Sequence, residues 1–176
     1  MKLGVNDLKK YLTGKSEKEL KEEIIELFKI SKEAKEYFAI KILPNAENEL
    51  LDKYKEIVRK EFFPERGTKF PSYSVLKKAV SDFGKVAHDS VSLADLMLFY
   101  VEQGVEFTNV YGGIDETFYN NIARMYERAI DLIVKESLED KFERRCQDVM
   151  VASSSIGWGF EEIMAELYYS NFDVSD

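Results

Sequence analysis

Glu102 and Glu106 are four residues apart in a helical stretch, so they share one face. Asp115 and Glu116 follow just after Gly112-Gly113-Ile114. If the helices on either side of that turn pack against each other, Glu106 meets Asp115–Glu116 near it. Such oxygen donors suit Mg²⁺, Mn²⁺ or Ca²⁺, which makes Glu102, Glu106, Asp115 and Glu116 the candidate hard-metal set. The bundle pattern for a di-iron centre also needs two Glu-x-x-His motifs, and the sequence has none. The competing reading is a solvated acidic face with Asp115 as a helix cap.

The other reactive groups are few. His88 is the single histidine, so any Ser-His-Asp or Cys-His arrangement must use it. It falls at a helix end, where the dipole alone favours an imidazolium. A cap or surface role is the expectation, with ligand or partner contact as the alternative. Cys146 shares a helix face with Phe142, Val149 and Met150 and reads as a buried, inert thiol; Arg144 and Arg145 precede it. Count excludes a Cys/His zinc site. No phosphate-loop, dinucleotide, nucleophile-elbow or H-E-x-x-H motif occurs. No cofactor is indicated.

Two further groups are candidates for contact. Phe107, Tyr111, Phe118 and Tyr119 bracket the carboxylates and could line a pocket, although such sets commonly form core. Gly157-Trp158-Gly159-Phe160 places the only tryptophan between two glycines. The expectation is a core plug beneath the last helix; the alternative is a contact hot spot. Lys69, Lys77, Lys78 and Lys85 form a candidate anion patch opposed only by Asp82 between positions 66 and 85.

Composition limits the options. The chain has 176 residues, with 45% apolar and 13% aromatic content. That suffices for one self-supporting domain, taken here as 1–176. Residues 1–88 hold 19 Lys/Arg against 15 Asp/Glu, and residues 89–176 hold 6 against 18, so the net charge of -8 divides into +4 and -12. A net of +4 is weak for a nucleic-acid binder, and the acidic second half would repel phosphates. There is no apolar run long enough for a membrane span and no signal-peptide core at the start. With one cysteine, a cytoplasmic protein is expected.

The elements that must position these residues are helical. Ser16 and Glu19 form a capping box ahead of a stripe of Leu20, Ile24, Leu27, Phe28, Ala34 and Phe38. That stretch runs to Leu43 or breaks near Ser31. Pro44 stops it, and Asn45 can cap a helix through Phe62. Residues 64–71 read as a loop, and Ser72 opens the next helix. Leu93–Val110 is apolar on two sides: Leu98 and Phe99 lie far from its main arc, so it is predicted to sit between layers as the central helix. Glu102 and Glu106 fall between those flanks and should be partly buried. Gly112-Gly113, Leu138-Glu139-Asp140 and the 153–159 break delimit three more helices. No segment alternates as a strand. The expected fold is all-α, with seven to eight antiparallel helices in a bundle or short hairpin array.

Three stretches resemble a family of small bacterial proteins known only as a domain of unknown function: Leu8–Leu12 with Ser16–Phe28, Gly104–Asn109 through Asp115–Tyr119, and Arg145-Cys146 with Gly157–Phe160. The resemblance implies a bacterial, cytosolic, helical protein and nothing about catalysis. Gly113 stands where that pattern suggests an acidic residue, which removes one possible metal ligand. The favoured function is a non-enzymatic scaffold or protein-interaction domain, meeting an unknown protein partner or forming a homo-oligomer. The alternative is a hard-metal-binding protein or hydrolase using the Glu102–Glu116 carboxylates.

Overall fold

The computed structural model describes residues 3–172. Local chemistry sets most of the helix ends. α1 (Val5–Leu12) stops before Gly14, whose φ of +86° suits a residue without a Cβ. α2 (Glu17–Ile30) opens with the capping box: Glu19 N–H donates to Ser16 Oγ, and Ser16 N–H donates to the Glu19 carboxylate at 2.7 Å. Ser31 then ends α2 and caps α3 (Lys32–Ile42), accepting from Ala34 N–H at 3.1 Å. With this break at Ser31, the described residues form nine helices, rather than seven to eight, and no strand.

α4 (Ala46–Phe62) begins after Asn45, whose side chain makes no cap bond. Asn45 serves instead by taking a φ of +64°, which asparagine tolerates better than most residues. α5 (Tyr73–Val86) follows the 64–71 loop. α6 (Ser90–Tyr111) starts three residues before Leu93 because Asp89 is its cap, accepting from Ser92 N–H at 3.0 Å. α7 (Glu116–Lys135) is capped by Asp115 through Phe118 N–H at 2.8 Å. α8 (Glu139–Ala152) and α9 (Phe160–Tyr169) complete the set. No helix among the described residues is long and apolar enough to cross a membrane.

α6 is the central element, packed against α4, α5, α7 and α8. Ala94, Leu96, Leu98, Tyr100 and Val101 have no exposed surface, so the Leu98 flank is dry. Phe99 is half-buried, with Lys55 Nζ and Arg59 Cζ about 5.6 and 5.4 Å from its ring centre. Beside it, Phe62 of α4 lies 5.6 Å from Tyr100, 6.0 Å from Phe107 and 6.4 Å from Phe118 of α7. Burying each such side chain contributes roughly 1.5–3 kcal/mol.

Direction is read from the cross-links. Lys55 pairs with Asp95 and Phe63 stacks on Tyr111, so α4 and α6 run the same way. Arg145 reaches Asp95 and Glu102 while Asn109 donates to the Ala152 carbonyl, so α6 and α8 also run the same way. The expected antiparallel arrangement therefore does not describe these pairs. They are not consecutive in the chain, and short connections constrain only consecutive helices.

The N-terminal helices are attached differently. α1 and α2 contribute no buried residue, and α3 contributes only Glu36. α1 is tied to α2 by the Tyr11 hydroxyl and the Lys15 ammonium, which donate to Glu23 at 2.5 and 2.6 Å. Glu36 joins α3 to α4, accepting from the Tyr54 hydroxyl and from Lys53 at 3.0 Å each.

Gly104 is where α6 and α7 approach most tightly: a Cβ there would lie 2.3 Å from Ile122 Cδ1 and 2.9 Å from its Cγ1. Gly104→Ala should cost about 1–3 kcal/mol through overpacking. Urea denaturation checks this, and Ile122→Val in the same chain, which deletes the Cδ1 atom, should restore much of the loss.

Candidate functional site

The four carboxylates of the proposed metal set occupy different environments. Glu102 is half-buried and engaged by Arg145 of α8: Nε donates to Oε1, and Nη2 donates to Oε2 at 2.9 Å. Glu106 is exposed and accepts from Gln103 Nε2 at 3.0 Å. Asp115 turns back to cap α7, and Glu116 stands exposed in its first turn. The four do not gather within ligating reach of one another. The expectation of partial burial thus fits Glu102 and fails for Glu106, which lies nearer the open end of the helix.

Glu102 belongs instead to an ion chain across three helices. Arg145 Nη1 lies 2.5 Å from Asp95 Oδ1, and Asp95 Oδ2 lies 2.8 Å from Lys55 Nζ of α4. Burial works against the Arg145 charge, but its bonds to Glu102 and Asp95 outweigh that and hold the guanidinium above its ordinary value. Burial likewise opposes the Asp95 charge, and Lys55 and Arg145 reverse the balance, holding its carboxyl below the usual range. The chain borders a groove of about 300 Å³ between α6 and α8, with Val105 and Val149 among its apolar lining and Glu106, Asn109 and Asp148 among its polar lining.

The aromatic candidates divide between core and surface. Phe107 is buried, with its ring 4.7 Å from the partly exposed Tyr111. Both border a cavity of about 260 Å³ together with Phe62, Phe70 and Ile114. Tyr119 is buried, and its hydroxyl accepts from Ile114 N–H at 3.0 Å, fastening the turn before α7. Trp158 is 65% exposed, so it is not a core plug. Phe160 fills that role, its buried ring 5.0 Å from Tyr119. Of the two glycines only Gly159 is left-handed; Trp158 itself, at a φ of +63°, and Ser155, at +76°, are left-handed too.

The remaining candidates are mostly engaged. Lys69 pairs with Glu61 at 2.9 Å, and Lys78 and Lys85 pair with Asp82 at 2.6 and 2.8 Å. Those two ammonium groups hold the Asp82 carboxyl down at about 2. Lys77 is exposed. Burial pushes the Cys146 thiol up to about 12, against the opposing pull of Arg145, which suits an inert core residue. His88 is exposed in the α5–α6 link, and its backbone N–H donates to Glu47 at 3.0 Å.

The α2 stripe is the amphipathic face formed by Leu20, Ile24, Leu27 and Phe28. In the structure Ile24, Leu27 and Phe28 are exposed, as are Ile25 and Ile30. Ile25 and Ile30 lie outside that stripe, so the apolar arc of α2 is wider than the stripe alone.

Residues 3–173 match a family of unknown function, DUF6155, and the chain belongs to it. No curated protein and no solved structure matches the chain.

Arg145→Met removes the cation from between Asp95 and Glu102. Because the pair is only partly buried, the cost should be about 2 kcal/mol, below the 3–5 kcal/mol of a fully buried pair. Chemical denaturation checks it; a change within error of zero contradicts the structural role given to this chain of charges.

Proposed function

We propose that this member of a family of unknown function is a single-domain, non-enzymatic helical scaffold that makes a protein interface through the apolar face of α2. The observation that carries this reading is the set Ile24, Ile25, Leu27 and Phe28, exposed on a helix that contributes no buried residue. Grouped apolar exposure of this kind marks an interaction surface more often than scattered single residues do. Full burial of an exposed apolar side chain contributes roughly 1.5–3 kcal/mol, and these four, 41–52% exposed, have about half of that left to gain in an interface.

The occupant we favour is the same face of a second copy. At its start α2 carries Glu17, Glu19, Glu22 and Glu23 against Lys18 and Lys21, and towards its end Lys29, with Lys32 just beyond, outweighs Glu26. An antiparallel second α2 sets each acidic end against a basic end. The same pairing places carboxylates at one helix N-terminus beside ammonium groups at the other helix's C-terminus, the arrangement that helix dipoles favour. The closest packing would be of coiled-coil type, with Leu20, Ile24, Leu27 and Phe28 near the seam.

Light scattering on a sizing column, run from micromolar to millimolar protein, tests the proposal. The intact chain should move from 20.4 kDa towards twice that mass as concentration rises. Ile24→Asp with Leu27→Asp should stay monomeric, with unchanged helical circular dichroism because neither residue supports the core. A chain that is monomeric throughout overturns the self-pairing.

A further inference from the structure

We propose that Glu47, His88 and Asp89 form a binding site for a divalent cation of the zinc class. One ligand atom from each residue lies within 4.8 Å of the others. Glu47 is in the first turn of α4, whereas His88 and Asp89 form the end of the link between α5 and α6. The fold therefore brings together donors that are 41 residues apart, joined already by the His88 N–H bond to Glu47 Oε1 at 3.0 Å.

Each carboxylate has one oxygen committed and one to spare. Glu47 uses Oε1 for His88 N–H, and Asp89 uses Oδ1 for Ser92 N–H. Among the described residues no hydrogen bond or ion pair falls on Glu47 Oε2, Asp89 Oδ2 or either His88 ring nitrogen. Ligands bound at about 2.1 Å to one ion sit roughly 3.4 Å apart, so the side chains need to close by little more than an ångström. All three reach solvent, and small torsional changes supply that movement.

The donor set selects the cation. An imidazole nitrogen suits zinc, cobalt or nickel better than magnesium or calcium, and two carboxylates offset the dipositive charge. Three protein donors leave at least one position for water. Solvent supplies it, since Glu47 is half-buried and His88 and Asp89 are exposed. An ion here would fasten the start of α4 to the start of the central helix. This site is separate from the Glu102–Glu116 carboxylates and from the α2 face.

Calorimetry with Zn²⁺ and visible absorption with Co²⁺ on the metal-free chain test the proposal. The expected result is one ion per chain with micromolar affinity and a Co²⁺ band of a nitrogen–oxygen site. His88→Ala should remove the band and weaken Zn²⁺ binding at least tenfold. Asp89→Asn should also weaken binding at least tenfold while keeping the α6 cap, since asparagine caps as well as aspartate. Unchanged circular dichroism in both variants keeps the loss attributable to the ligands. No binding at millimolar ion, or full affinity retained in His88→Ala, overturns the site.

Discussion

Helix α6 is apolar around most of its circumference and so must be covered from several sides at once. That requirement organises the chain. α4, α5, α7 and α8 each take one side of it, and α9 closes over α7 and α8. The interior side chains form one continuous cluster from Leu50 to Phe172. Gly104 allows α7 close enough for Ile122 to seat against the α6 backbone, and the Phe62–Phe107–Phe118 contacts lock α4, α6 and α7 at the same level. Close packing of this kind tolerates little change in volume.

Polar groups secure what the apolar cluster aligns. Withdrawing Arg145 would leave Glu102 without its cation and Asp95 with Lys55 alone. Lys55 makes the same network reach α4. Here one cation from the basic half of the chain meets the acidic half. Most of the other ion pairs stay within their own half, as Lys69–Glu61 and Lys78–Asp82 do. The charge division along the sequence is therefore met chiefly by local neutralisation.

Features governed by short-range chemistry were legible in the sequence. Ser16 with Glu19, Asp115 before α7, and the burial of Leu98 all follow from side-chain reach or helical period. Features governed by what lies across space were not. The α2 stripe shows that a face is apolar but not whether the chain itself covers it, and here it does not. The glycines beside Trp158 suggest a core plug, yet the tryptophan itself takes a left-handed conformation and is largely exposed. The carboxylates near the Gly-Gly turn were grouped by sequence spacing, whereas the three donors that do converge come from positions 47, 88 and 89. No local pattern joins Glu47 to the α5–α6 link; only the packing of α4 against α5 and α6 does.

α6 is the most securely buried element, whereas α1 and α2 join the body without a share in its core. Amide hydrogen exchange of the Ile24→Asp, Leu27→Asp chain, followed helix by helix, tests that directly. The amides of Leu96 to Val105 should exchange only through global unfolding, and those of α1 and α2 orders of magnitude faster. Equal protection of α2 and α6, or rapid exchange along the Leu98 flank, would contradict it.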